Sequence, residues 1–477
     1  MREVEVGAIA LDRLAGLLSS ARAERLADGA TRARELFAGR TLWNVNATAT
    51  GGGVAEMLLA LLAYSRGAGV QTRWLVLDGD PEFFATTKRL HNLLHGSPGD
   101  GGELGPREAE HYERVLSHNA EQLGGLVRPG DVVLLHDPQT AGLAGAMRDI
   151  GAGVVWRCHV GRDDANELTD LGWAFLRPHL ERAEAFVFSR RQYAPSWVPP
   201  ERLAVIPPSL DPFSAKNAEL SPADVDAALN RAGLVDTVQD HGSLAFTRRD
   251  GTVGRVREHQ GLVLDGPPVE RGARLVLQVS RWDRLKDMAG VLRGFADHLD
   301  DLPRDVHLVL TGPEVAGVGD DPEGAQVLEE CRAAWRRLPV AARERTHLVC
   351  LPMDDVDENA HLVNALQRRA AVVVQKSLVE GFGLTVTEPM WKARPVVASA
   401  VGGISDQILS GESGLLLADP RDLGSFAALL RQLLVDEEYA RALGTGAQAR
   451  VRDLFLGDRH LVQYVDLFER LQGPPER

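Results

Sequence analysis

The sequence predicts a two-domain α/β protein, and three observations predict it. The chain has 477 residues, long for one hydrophobic core and comfortable for two. Short β-branched runs alternate with helical periodicity along most of its length. Glycine-bearing loops follow several of those runs, and 48 glycines with a hydrophobic fraction of 44% fit such an architecture.

The formal charge of −14 and pI near 5.5 exclude a broad nucleic-acid-binding face, so a phosphate-bearing ligand needs a locally basic pocket. Cys158, Cys331 and Cys350 lack metal-ligand spacing and read as buried free thiols of a reducing compartment. MREVEV carries no apolar leader and no run reaches membrane-span length; a cytoplasmic protein without membrane partners is expected.

The densest chemistry lies in 372–393, VVVQKSLVEGFGLTVTEPMWKA. Val372 to Val374 read as a strand covered on both faces. Gly381 and Gly383 permit tight turns, and the next helix is expected to start near Thr385 so that Pro389 falls in its first turn. Amides at a helix start behind a glycine loop attract phosphate. Glu380 and Glu388 would repel phosphate, which makes them acceptors for hydroxyls of the same ligand; the competing reading places Glu388 as a dipole partner and Glu380 in solvent.

In chain order, 8–38 are helical and 42–45 a strand. A loop with Gly51, Gly52 and Gly53 opens a helix over 54–66 that carries Glu56. The loop matches neither the dinucleotide nor the Walker pattern, and either a phosphate or sugar contact or a plain turn accounts for it. A strand over 73–78 and a helical stretch over 80–95 follow. Strands over 131–135 and 154–158 deliver His136 with Asp137, and His159, to a carboxyl-end opening. A further helix over 171–181 and a strand over 186–189 lead to AVIPPSLD, where Pro207 and Pro208 mark a linker. Residues 212–271 are read as helix and then a polar surface excursion. A strand over 275–279 leads to Arg281 and Lys286, which either clamp a diphosphate or pair with Asp283 and Asp287. Strands over 307–311 and 347–351 end near Gly312 and Leu351, Gly402 and Gly403 form a second glycine turn, and helices cover 423–434, 437–454 and 460–471.

Glu380, GFG and Glu388 resemble the E-x7-E signature of retaining glycosyltransferases of family 4, which have the GT-B fold of two Rossmann-like domains. NATATGGGVAEML, WRCH, SRWDRLKD and QKSLVEGFGLTVTEPMWKARPVVASAVGGI are similar to segments of the trehalose synthases within that family. The resemblance runs from about residue 41 to the end and weakens over 212–271. It implies an N-terminal acceptor-side domain over 1–208, a nucleotide-sugar domain over 209–457 and a terminal helix, 458–477, crossing back to the first, with an interdomain cleft. It implies glucose transfer from a nucleotide sugar to free glucose with retention. Arg281 and Lys286 would hold the diphosphate, and Glu380 and His159 would reach the donor sugar. Glu388 would take the ribose, with Gly381, Phe382, Gly383, Leu384, Thr385, Gly312 and Leu351 around the nucleotide. Gly51, Gly52, Gly53, Glu56, His136 and Asp137 would line the acceptor side.

No acid pair is read as metal-binding in the DxD manner, so no cofactor or metal is expected and protein cations take its place. The partners are a nucleotide sugar and a small sugar acceptor, with a homodimer one compatible assembly. Trehalose phosphorolysis, another family-4 acceptor and a silent nucleotide-sugar sensor are the alternatives. Gly161 and Arg162, just past His159, stand where an acidic and a small polar residue are expected in the synthases, and acceptor choice stays open.

Overall fold

The structure, a computed structural model, describes residues 1–49, 53–235, 242–315 and 323–472. It divides into two compact units: Met1–Ser209 with the C-terminal segment from Phe455, and Leu210–Leu454.

Unit 1 is built on seven strands: β1 (Arg2–Val4), β2 (Leu42–Asn46), β3 (Thr72–Val76), β4 (Val132–His136), β5 (Gly153–Cys158), β6 (Ala185–Phe188) and β7 (Leu203–Val205). Their order is β1-β3-β2-β4-β5-β6-β7, parallel throughout except for β1, which pairs antiparallel with β3. Strands β2, β4 and β6 are buried at every residue, which is why LWNVN, VVLLH and AFVF read as near-continuous apolar runs. Alternation along each strand feeds two cores. Trp156 and Phe186 pack with Leu90, Tyr112 and Leu176 on one face, and Val155 and Val187 with Phe37, Val465 and Phe468 on the other.

The first face is covered in part by a helix over Pro106–Gly124 that the sequence reading did not anticipate. Its buried anchors, Tyr112, Leu116 and Leu123, are thinly spread through a charged stretch, which weakens the periodic signal. Helices Ser20–Leu36 and Gly457–Gln472 cover the second face, with Phe37 edge-on to Phe468 at 5.5 Å.

Unit 2 carries, after helix Pro222–Arg231, a separate hairpin, β8 (Ala245–Thr247) and β9 (Val253–Arg255). Its main sheet comprises β10 (Val263–Asp265), β11 (Arg274–Val279), β12 (Val306–Pro313), β13 (Thr346–Leu351), β14 (Ala370–Gln375), β15 (Val396–Ser399) and β16 (Leu415–Leu417). The order is β10-β13-β12-β11-β14-β15-β16, and only β10 is antiparallel to its neighbour.

The polar stretch within 242–271 is not a free surface excursion. β10 is an edge strand of the main sheet. Arg248 reaches Asp355 at 2.6 Å, Arg249 reaches Asp357 at 2.9 Å, and Arg257 reaches Asp354 at 2.7 Å and Glu358 at 2.6 Å. These acids cluster at the start of helix Val356–Arg369, and pairing across about a hundred residues leaves no periodic trace in the sequence.

All three cysteines are buried and free. Among the described residues no helix is long and apolar enough to cross a membrane.

Candidate functional site

In unit 2 the site begins with strand adjacency. β11 and β14 are parallel neighbours, so the loops after them lie side by side although nearly a hundred residues separate them in sequence. The Leu378 amide donates to the Leu285 carbonyl at 2.7 Å and joins the two loops. Buried Lys376 pairs with Asp287 and donates to the Pro420 carbonyl at 2.7 Å. Asp287, at φ 48°, caps helix Met288–Asp297 through the Gly290 amide at 3.1 Å.

That scaffold sets Lys286 against Glu380, Nζ to carboxylate 2.5 Å. Glu380 also accepts from the Ser377 hydroxyl at 3.1 Å and is only 7% exposed, which rules out its reading as a solvated acid. Arg281 is partly exposed and its guanidinium lies 3.7 Å from Asp283, so one of the two expected surface pairs exists. Asp287 pairs with Lys376 and not with Lys286 in the described contacts.

Gly383 adopts φ +85° as the N-cap of helix Leu384–Trp391, and no side chain caps that helix start. The helix begins at Leu384, one residue before the expected Thr385, and Pro389 lies inside it, not in its first turn. The chain tolerates the proline because a single intrahelical bond is forgone and the helix stops two residues later.

The GFG loop is held from behind. A Cβ on Gly403 would lie 2.6 Å from the Phe382 Cα and 2.9 Å from the Gly381 carbonyl oxygen, so the second glycine turn exists to let two loops touch. Gln407 Nε2 donates to the Phe382 carbonyl at 2.5 Å while its Oε1 accepts from Thr387.

Glu388 is buried and accepts from Gln367 Nε2 at 3.1 Å, with Lys216 Nζ at 3.7 Å. Lys392 below it donates to Gln367 at 2.6 Å and Asn217 at 2.9 Å. Burial drives the Lys392 pKa well down, against the opposing pull of Glu388. Gly312 and Leu351 present no side chain to this site. A Cβ on Gly312 would meet the Trp282 indole at 2.5 Å, and Leu351 is 1% exposed within β13.

In unit 1, β4 and β5 are neighbours and bring His136 and His159 together. Their rings stack with centroids 5.5 Å apart, and His136 Nδ1 is 3.2 Å from His159 Nε2. His136 is buried, lines a small cavity of unit 1 beside Asn44, and its Nε2 meets Asn44 Oδ1 at 3.1 Å. Burial and the Arg157 charge lower the His136 pKa to about 3 and hold that of His159 well below its ordinary range. Asp137, at φ 65°, accepts the His159 amide at 2.7 Å, and burial raises its pKa to about 7. Glu56 is exposed in the first turn of the helix that Gly53 begins. Gly51 and Gly52 lie outside the described residues.

Sequence reasoning missed Arg157, Lys376 and Gln407. Fully buried Arg157 donates to His159 Nε2 at 3.0 Å, Tyr464 Oη at 2.7 Å and the Ile206 carbonyl at 3.0 Å. A cation inside the apolar run VVWRC is a legible signal for such a residue. Nothing local marks Gln407.

Chemically, unit 2 offers cations, a buried acceptor carboxylate and a helix start within one loop cluster, the equipment for an anion linked to hydroxyls.

The family model described as trehalose synthase, N-terminal domain, matches residues 44–195, and that of glycosyl transferases group 1 matches residues 267–450. The chain is 32% identical to a trehalose synthase of Pyrococcus horikoshii over 92% of each chain. It is 27% identical to a trehalose phosphorylase of Pleurotus pulmonarius over 86% of this chain and 54% of that one. Among solved structures, an α,α-trehalose-phosphate synthase (UDP-forming) from Burkholderia vietnamiensis superposes with a TM-score of 0.63 at 17% identity, covering 90% of this chain and 97% of that one.

Proposed function

The chain belongs to the trehalose synthase family of GT-B glycosyltransferases, and from that premise we propose that it moves glucose, with retention, from a nucleotide sugar to free glucose and so makes trehalose. The observation that carries this reading is the contact between Lys286 and Glu380 beside the helix start at Leu384. Transfer at an anomeric carbon passes through an oxocarbenium-like state while the departing diphosphate gains charge. Lys286 and Arg281 meet that charge, an electrostatic role of the oxyanion-hole kind that grows along the reaction coordinate. Glu380, fixed by Lys286 and Ser377, accepts from hydroxyls of the donor sugar. Glu388 accepts from the ribose, His159 reaches the donor sugar, and the Gly51 to Gly53 loop takes the acceptor side. The acceptor hydroxyl attacks from the face that the diphosphate leaves, and the leaving phosphate takes its proton.

Phosphorolysis of trehalose is the second reading, favoured by the likeness to the Pleurotus enzyme. A screen of nucleotide sugars against free sugars, run with and without inorganic phosphate and read by mass and linkage, separates the two. Nucleotide-dependent formation of a non-reducing disaccharide supports synthesis; trehalose consumption that requires phosphate and no nucleotide assigns phosphorolysis.

A further inference from the structure

Three buried side chains on adjacent strands of unit 1 converge on His159, and only one placement of protons satisfies all of their contacts. Asn44 on β2, His136 on β4 and Arg157 on β5 are each at most 1% exposed. His136 Nε2 meets the Asn44 side-chain amide at 3.1 Å, and His136 Nδ1 lies 3.2 Å from His159 Nε2 with the rings inclined at 14°. Arg157 Nε lies 3.0 Å from that same Nε2 and 3.3 Å from Nδ1. The rest of the guanidinium is anchored elsewhere, on Tyr464 Oη at 2.7 Å and the Ile206 carbonyl at 3.0 Å.

Arginine is always a donor, so the ring nitrogen at the shorter distance needs a free lone pair. Burial and the Arg157 charge keep both histidines neutral, which leaves each ring one proton and one lone pair. With the Asn44 oxygen facing His136, the His136 proton sits on Nε2, its Nδ1 accepts, and His159 Nε2 has to carry a proton. That proton would confront the Arg157 N–H, and buried Asn44 Nδ2 has no partner among the described residues. The amide turned end for end occupies nearly the same shape and reverses each link. Asn44 Nδ2 then donates to His136 Nε2, His136 Nδ1 donates to His159 Nε2, and Arg157 shares that acceptor. Only a carbonyl oxygen gives up a partner, the lesser cost.

We propose that Arg157 is a positioning residue that fixes His159 as its Nδ1–H tautomer, with His136 and Asn44 ordered behind it, so that His159 donates to a hydroxyl oxygen of the donor sugar and does not act there as a proton acceptor. This rests on the reading that places His159 at the donor sugar. A single allowed order of protons presents one donor to the ligand in place of two interchanging tautomers, and no fraction of the chain has to be converted before binding.

The test is long-range ¹H–¹⁵N correlation NMR on the whole chain labelled with ¹⁵N-histidine, the signals of each ring identified by their loss in His136→Gln and His159→Gln. In the parent both rings are expected to carry the proton on Nδ1 and to leave Nε2 bare. Arg157→Met removes the obligatory donor and is expected to give His159 as a mixture of tautomers. Donor KM should then rise by the inverse of the remaining Nδ1–H fraction, about twofold for an equal mixture, with affinity for the bare nucleoside diphosphate unchanged. Tyr464→Phe cuts only the anchor of Arg157 and should lower the unfolding temperature without altering the tautomer. A proton on Nε2 of either ring in the parent overturns the proposal whether or not any variant folds. A folded Arg157→Met chain with an unaltered His159 tautomer overturns it as well. The tautomer is read without substrate, so it stands or falls apart from the transfer reading; a mixed tautomer with unchanged donor KM overturns the sugar contact and removes His159 from that reading.

Discussion

Lys286 Nζ and the Glu380 carboxylate stand 2.5 Å apart, held by two loops that follow adjacent parallel strands. Each residue fixes the other before any ligand arrives. A lysine pre-set in this way costs no reorganisation when charge develops on a leaving diphosphate.

Replacing Lys286 therefore affects turnover more than donor binding. Lys286→Ala is expected to lower kcat by about 10²–10³-fold with a much smaller change in donor KM, because the interaction strengthens in the transition state. Steady-state kinetics on the folded variant check this. Unchanged kcat would remove Lys286 from the chemistry.

Gly403 is predicted to act through the GFG loop without touching ligand. Gly403→Ala places a methyl 2.6 Å from the Phe382 Cα, a backbone atom that cannot swing aside. Donor affinity should fall about tenfold and stability by about 1–3 kcal/mol, in the range of overpacking a tight contact. Chemical denaturation together with nucleotide titration reads both. The same substitution at Gly272, whose added Cβ meets nothing within 4 Å, supplies a control without the loop effect.

Acidification should destabilise the fold. Burial lowers His347 and His361 to about 4 and His136 to about 3. Between those values and about 6.5, the unfolded chain binds protons that the folded chain does not, so stability rises with pH across that window. Each group contributes a slope of up to about 1.4 kcal/mol per pH unit. Asp137, raised to about 7, opposes them: its contribution is present at low pH and fades as pH rises through 7. Three depressed histidines outweigh one raised carboxyl, and the unfolding temperature should drop from about pH 7 to about pH 5. A flat or opposite profile by scanning calorimetry would contradict the burial of these rings as neutral groups.

Much of this architecture is legible in the sequence, and what is not has identifiable causes. The runs around Val45, Leu134, Val155 and Val373 are central strands and read as such because burial on both faces removes polar residues. The edge strands β1 and β10 escaped, since an edge needs only three residues and tolerates charges such as Arg2, Glu3 and Asp265. At the site, the types and spacing of Glu380, Gly383 and Lys286 point to an anion and hydroxyls. Their meeting depends on β11 lying beside β14, which local pattern does not encode. The stacking of His136 on His159 was not legible, because a histidine at a strand end looks the same in sequence with or without a second ring beside it. The support of the GFG loop by Gln407 is equally silent, as it rests on a buried side chain reaching two backbone carbonyls.

Protein cations in the place of a metal carry a further expectation. With Lys286 and Arg281 supplying positive charge in the loop cluster, transfer should survive exhaustive chelation at full rate. Loss on chelation with recovery on magnesium or manganese would assign the diphosphate to an ion.

The most direct measurement of the central claim is the product itself. The chain is incubated with nucleotide-linked α-glucose and free glucose labelled with ¹³C at its anomeric carbon, and the disaccharide is read by NMR. The account predicts a non-reducing α,α-linked product with one labelled anomeric centre, retained α configuration at the transferred one, and no product from the Glu380→Gln chain. A reducing disaccharide, an inverted linkage, or efficient transfer only to a different acceptor would contradict it.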